Sequence, residues 1–172
     1  MAFPLNVLET ERLALRRLTP EDAAFMRRLV NEPSWLEFIG DRGVRTEEDA
    51  REYLRNGAIA SYAKHGFGLW AVTLRDSEAP IGICGLVRRD FLDDVDLGFA
   101  FLPEHQGSGY GRESGAAVVE YARRELGLRR LVAITVPANR RSIALLGKLG
   151  FALEKKMNHP DGSEVLLFAR EG

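Results

Sequence analysis

The sequence predicts an α+β (α/β) fold with a mixed, mostly antiparallel central sheet, one parallel pair of strands and about four flanking helices. Three observations predict it. Leu69 to Leu74, Ile81 to Val87 and Val95 to Leu102 read as strands joined by the short polar connectors SEAP and RRDFLDD, as antiparallel neighbours are. Leu131 to Val136 is a continuous apolar run, the pattern of a strand covered on both faces. Between those last two strands lies a helical stripe of Gly115, Val118, Val119, Ala122 and Leu126, and a helical crossover makes the strands it joins parallel.

Taken in order, Arg12 to Arg17 alternates Leu13 and Leu15 against Arg12 and Arg16, a strand with one wet face. Thr19 can cap a helix, Pro20 suits its first position and Asp22 sits where a reciprocal cap forms. Phe25, Met26, Leu29 and Val30 are its apolar stripe. After a break at Asn31 to Pro33 comes Trp35, Leu36, Phe38 and Ile39, an aromatic cluster that suits a core or, between two helices, a substrate-pocket wall formed by Trp35 and Phe38. Thr46 and Asp49 repeat the cap, and Ala50, Tyr53, Leu54, Ala58 and Tyr62 mark a second helix ending near His65-Gly66. The helix after the third of the consecutive strands ends near Gly127. PANRRS then precedes a short helix ending at Leu149-Gly150, and Phe151 to Met157 and Val165 to Ala169 make a hairpin around HPDG. No repeat or linker interrupts the chain, so residues 1–172 are expected to be a single domain.

Composition limits the function. With 172 residues, 45% of them hydrophobic, one substantial core is expected. Lys plus Arg number 24 against 25 Asp plus Glu, so the chain offers no basic field for nucleic acid, and small molecules or peptides are the expected partners. Cys84 is the only cysteine, which excludes an internal disulfide and a cysteine-rich metal site; within IGICGLV it reads as a small buried hydrophobe. No secretory leader is evident and no run approaches the roughly 18 apolar residues of a membrane span, so a cytoplasmic protein without membrane or metal partners is expected. The sequence leaves the oligomeric state open, a homodimer included.

The most informative stretch is Val95 to Glu113, VDLGFAFLPEHQGSGYGRE. Leu97, Phe99 and Phe101 share one face of a strand and Asp96, Gly98 and Ala100 the other, until Pro103 stops it for want of an N–H. Gly107, Gly109 and Gly111 then lead into the helix. Strand, glycine-rich loop and helix make an anion site, because the glycines let successive N–H groups face one ligand and the helix start adds unpaired donors. The plain alternative is a glycine-rich turn between core elements. A Walker-type loop fails because Arg112 and Glu113 stand where Lys and Ser or Thr are needed, and the dinucleotide fingerprint fails because its third glycine would fall at Arg112.

Gln106-x-x-Gly109-x-Gly111 after a strand and a proline instead resembles the coenzyme A loop of the GNAT superfamily of N-acetyltransferases. Asn139-x-x-Ser142 after a strand, and LLGKLGF closing at Gly150-Phe151, are similar to that family's later motif. With LETERLALRRLTPEDA and GLWAV, the whole chain resembles the branch holding the ribosomal-protein alanine and serine N-acetyltransferases, many of whose members act on other amines.

The resemblance implies the GNAT fold, with the parallel pair splayed into a wedge, and acetyl-coenzyme A as co-substrate without a metal. Backbone amides from Gln106, Gly107, Ser108, Gly109, Tyr110 and Gly111 would take the pyrophosphate, and Phe99, Ala100 and Phe101 would pair with the pantetheine arm like an added strand. Asn139 offers an amide donor and acceptor to that arm, though Asn139 and Ser142 could equally cap the short helix. Arg112, Arg140 and Arg141 could meet phosphates. The implied reaction is acetyl transfer to a primary amine, on a peptide or protein N-terminus or a small molecule, by direct attack on the thioester.

An α-amine, with a pKa of about 7.7–8.0, needs only a weak base or a water chain. Asp96 is the candidate base or amine binder, while Asp93 and Asp94 read more simply as turn residues. A backbone N–H near Phe99 would meet the oxyanion. Many relatives place a tyrosine four to five residues before the closing Gly-Phe to protonate the thiolate, and here that place holds Leu146. Ser142, one helical turn earlier on the same face, is then the candidate relay of that proton. A coenzyme A-binding sensor or interaction module would keep the loop and lose the acid. A phosphate-binding structural protein would keep only the glycine turn.

Overall fold

The computed structural model describes residues 6–172 as one eight-stranded sheet with helices on both faces. The strands are β1 (Asn6–Glu9), β2 (Leu13–Arg17), β3 (Leu69–Leu74), β4 (Pro80–Val87), β5 (Asp96–Phe101), β6 (Arg130–Thr135), β7 (Ala152–Asn158) and β8 (Glu164–Glu171). Their spatial order is β1-β2-β3-β4-β5-β6-β8-β7. Every neighbouring pair is antiparallel except β5 and β6, which are parallel. The helices are α1 (Ala23–Val30), α2 (Pro33–Phe38), α3 (Glu47–Leu54), α4 (Ala60–His65), α5 (Tyr110–Leu126) and α6 (Arg140–Lys148). None is long and apolar enough to cross a membrane.

Local chemistry sets most boundaries as expected. Thr19 and Thr46 each accept a backbone N–H while Asp22 and Asp49 return the bond, two complete capping boxes. Gly66, Gly127 and Gly150 close α4, α5 and the turn after α6 with φ of +80°, +66° and +87°, where a Cβ would be strained. Two elements go beyond expectation. Asn6–Glu9 adds an edge strand, and Pro33–Phe38 is a short helix where an aromatic cluster was read.

Two further differences bear on the site. The strand of Leu13 and Leu15 does not have one wet face: Ala14 is also buried, because β2 lies between β1 and β3 with helices above and below, and Arg16 is ion-paired to Asp22 at 2.8 Å. The second helix is not regular. Arg55–Ile59 is a π-helical turn between α3 and α4. Ala50, Leu54, Ala58 and Tyr62 recur every four residues, so with 3.6 residues per turn Tyr62 would lie about 120° round from Ala50. The π turn absorbs one residue and restores the stripe. Tyr62 then donates its hydroxyl to the Leu69 carbonyl and accepts from the Leu18 amide at 3.0 Å.

The sheet separates two main cores. Leu97, with Leu13, Trp70, Cys84 and Leu131, packs against Val118, Ala122 and Leu146 of α5 and α6. Ala71 and Ile83 pack on the other face against Met26, Leu29, Trp35 and Leu54. Cys84 is fully buried and burial pushes its thiol up to about 12, the inert core thiol expected.

Candidate active site

After β5, Pro103–His105 forms a single tight turn and the Gln106 amide donates to the Pro103 carbonyl at 3.2 Å. Gly107 and Gly109 come next at φ +83° and +84°, and α5 begins at Tyr110. The first amide beyond Gln106 to find an acceptor is that of Glu113, on the Gly109 carbonyl at 3.0 Å. Among the described residues, the six amides of Gly107 through Arg112 have no acceptor. Six successive donors at the start of a 17-residue helix form an anion cradle. The expectation that the Gln106 amide joins it is corrected: that N–H is spent on the preceding turn.

The cradle is braced from the β1–β2 turn. Arg12 donates from Nη1 to the Ser108 carbonyl at 3.0 Å and from Nε to Glu113 Oε1 at 2.7 Å, and its guanidinium lies 4.5 Å from the centre of the Tyr110 ring. Glu113 also accepts from Thr10 Oγ1 at 2.5 Å and from the Arg12 amide at 2.9 Å. Burial works to raise the Glu113 carboxyl, but these hydrogen bonds together hold it below its ordinary range. Gly111 and Gly115 serve packing: a Cβ on them would come within 2.9 Å of Leu145 Cδ2 and 2.7 Å of Leu149 Cδ1.

The parallel pair is splayed. Its register holds one pair, Asp96 opposite Val132, with the Val132 amide donating to the Val95 carbonyl at 3.1 Å. Leu102 donates to Ile81 on β4, so the two-residue alternation also turns the backbone of Ala100 toward β4 and that of Phe99 and Phe101 into the opening wedge. Ala100 therefore contributes to the wedge by its position, not by free backbone groups as expected. The Phe101 carbonyl accepts from Gln106 Nε2 at 3.0 Å, and Gln106 Oε1 accepts from Arg141 Nη1 at 2.5 Å. The Gln106 side chain thus clasps β5 to α6 at the mouth of the wedge.

A cavity of about 320 Å³ opens on the wedge. Asp96, Phe99, Ala100, Asn139, Ser142, Trp35 and Phe38, all singled out from sequence, meet in its wall. Asp96 is 1% exposed and accepts from Arg89 Nε at 3.3 and 3.1 Å on its two oxygens. Burial pushes its carboxyl above the usual carboxylate range, and the Arg89 charge and hydrogen bond only partly oppose this. Asn139 caps α6, its Oδ1 accepting the Ser142 amide at 3.2 Å. The Ser142 hydroxyl takes no part in that cap and has no protein partner among the described residues. Leu146 lines the same cavity one turn further on, confirming the shared face. The Trp35 indole N–H is buried without an acceptor, which costs about 1–3 kcal/mol.

Sequence reasoning did not find Arg42, Tyr53, Arg89 or His159 as cavity residues. They come from four separate segments with no motif. Asp94 is more than a turn residue, holding Arg130 at 3.0 Å. Arg112 and Arg140 make no ion pair among the described residues, while Arg141 is held by Gln106.

A family model described as an acetyltransferase (GNAT) domain matches residues 12–152. The Bacillus subtilis (strain 168) protein named "Uncharacterized N-acetyltransferase YoaA" is 30% identical over 155 residues, covering 88% of this chain and 85% of that relative. The crystal structure of the acetyltransferase from Agrobacterium tumefaciens str. C58 superposes with a TM-score of 0.83 at 25% identity, covering 100% of this chain and 98% of its own. RimL, a ribosomal alpha-N-protein acetyltransferase in complex with coenzyme A, shares the fold with a TM-score of 0.82 at 19% identity, over 96% of this chain and 97% of its own.

Proposed function

The chain belongs to the GNAT acetyltransferase family and is an acetyl-CoA-dependent N-acetyltransferase, and from that premise we propose that it acetylates a primary amine, on a peptide N-terminus or a small molecule, by direct attack on the thioester. The observation that carries this reading is the run of six amides without acceptors beside the splayed strands. In it, residues 1–172 act as one acetyltransferase domain.

Acetyl-CoA supplies an activated thioester when bound. The amides of Gly107 through Arg112 hold its pyrophosphate, and Phe99 and Phe101 offer backbone groups to its pantetheine arm, with the Gln106 side chain giving up the Phe101 carbonyl. The Asn139 side-chain N–H groups remain for the same arm once Oδ1 has capped α6. The amine enters from the cavity past Trp35 and Phe38. Asp96, with its raised carboxyl, takes a proton from the attacking amine directly or through water. The N–H of Phe99 meets the oxygen as it gains charge. The Ser142 hydroxyl relays a proton to the departing sulfur, because Leu146 has none to give.

A thiol-release screen across N-terminal peptides, polyamines, aminoglycosides and amino acids, with calorimetric binding of coenzyme A, tests the proposal. Thiol release that depends on an amine supports it. Coenzyme A binding without release to any amine would leave a sensor, and no binding would remove the loop from the function.

A further inference from the structure

Resting on that reading of the cavity as the acceptor site, we propose that the accepted amines also carry a carboxylate, seated on the outer edge of the Arg89 guanidinium with Arg42 beside it. Two arginines of the wall keep donors without acceptors among the described residues. Arg89 spends only Nε on Asp96, and its two terminal nitrogens have no acceptor among the described residues. Arg42 lines the same wall next to Tyr53 and makes no ion pair there. Trp35, whose buried indole N–H is also without an acceptor, lines the same wall. The two carboxylates present are engaged: Asp96 with Arg89, and Asp161 with the Ser163 amide at 2.8 Å, its hydroxyl at 2.6 Å, and His159 at 3.1 Å.

The charge continues outward. A second cavity, of about 460 Å³, shares Tyr53, Leu69, Ile83 and Val87 with the first and adds Lys64 and Arg88, with no Asp or Glu in its wall. Lys64 and Arg88 thus add two cations to the approach, which disfavour a purely cationic amine relative to one that carries its own carboxylate. A guanidinium edge of two parallel N–H groups fits a carboxylate bidentately. The amine end then points toward Ala100, Asn139 and Ser142, where the wedge opens.

The test compares matched acceptors at saturating acetyl-CoA, with kcat/KM corrected for the fraction of neutral amine. The pairs are β-alanine against β-alaninamide, and Ala-Glu-amide against Ala-Gln-amide. The carboxylate member of each pair should be preferred at least tenfold, about 1.4 kcal/mol. Arg42→Gln, at an exposed position, should reduce that ratio about tenfold, mainly through KM. Arg89→Lys keeps a charge beside Asp96 but loses the paired N–H groups, and should reduce it too. A ratio near one in the wild type, or a ratio unmoved by both variants, overturns the proposal. Phosphoethanolamine used tenfold better than β-alanine would overturn the carboxylate in favour of a phosphate. Release with neutral amines alone defeats this selectivity and leaves acetyl transfer standing, whereas release with no amine defeats both.

Discussion

At the glycine-loop end of the cleft, the groups without partners among the described residues are backbone amides of six consecutive residues, Gly107 to Arg112; at the cavity end, the proposed acceptor site, the wall is made of side chains from separate segments, Trp35, Arg42, Arg89 and Ser142 among them. The first end depends on a backbone path that two left-handed glycines permit and Arg12 and Glu113 hold in place. The second depends on which side chains happen to meet above the sheet. A backbone site is therefore sensitive to conformation, and a side-chain site to charge and proton chemistry.

Substitutions at the acceptor end should cost the most in rate and the least in coenzyme affinity. Asp96→Asn is expected to lower kcat/KM by about 10²-fold or more. Because burial raises the Asp96 carboxyl, wild-type activity should fall as pH drops through a value above the ordinary carboxylate range, where the base becomes protonated, and the variant should lose that limb. A variant that keeps both rate and limb would make Asp96 only a clamp for Arg89. Ser142→Ala should lower the single-turnover rate by up to about 100-fold, the low end for general acid–base help. The cap provides an internal control, since Asn139 bonds the Ser142 backbone N–H, which alanine retains. An unchanged rate would assign proton delivery to solvent.

The loop end should show the opposite signature. Gly109→Val places a β-branched residue at φ +84° in the middle of the cradle and should weaken coenzyme A binding at least tenfold, about 1.4 kcal/mol, by calorimetry. Intact affinity in the folded variant would take the loop out of the site. Glu113→Gln should have the smallest effect, a few-fold in affinity and a melting temperature lower by about 2–4 °C per kcal/mol lost. The folded carboxyl lies below its unfolded value of about 4.3, so the brace stabilises above that pH and is lost as pH falls through the lower folded value. Melting curves whose acid dependence is the same in wild type and variant would show that the brace carries no such linkage.

The same contrast explains which features were legible in the sequence. Glycines at 107 and 109, the two threonine caps and the crossover around α5 are local, so each leaves a readable pattern, and the splay is implied by the family those patterns resemble. Gln106 misled in detail because a single N–H was claimed by the Pro103 turn, which spacing alone does not reveal. Asn6–Glu9 and Pro33–Phe38 are too short for periodicity to distinguish them from loop. Arg42 and Arg89 carry no motif because their meeting depends on how α2, α3 and β4 pack, and ordinary surface arginines look identical in sequence. The four-residue recurrence of Ala50, Leu54, Ala58 and Tyr62 did not announce the π turn, because each i, i+4 step is ordinary helical spacing and the drift accumulates only over the whole stretch.

That π turn fixes how the segment above the cleft can change over descent. Because the turn holds one residue more than a regular helix needs, deleting one residue within Arg55–Ile59 would convert it to regular α-helix and leave the rotational phase of α4 intact, whereas deleting two or inserting one turns everything downstream by about 100°. Tyr62 would then swing off the Leu18 amide and the Leu69 carbonyl, and Lys64 would leave the outer cavity. Across homologues the stretch between Thr46 and Gly66 should accordingly tolerate loss of that one extra residue, with a regular helix in its place, but resist a longer gap or an insertion.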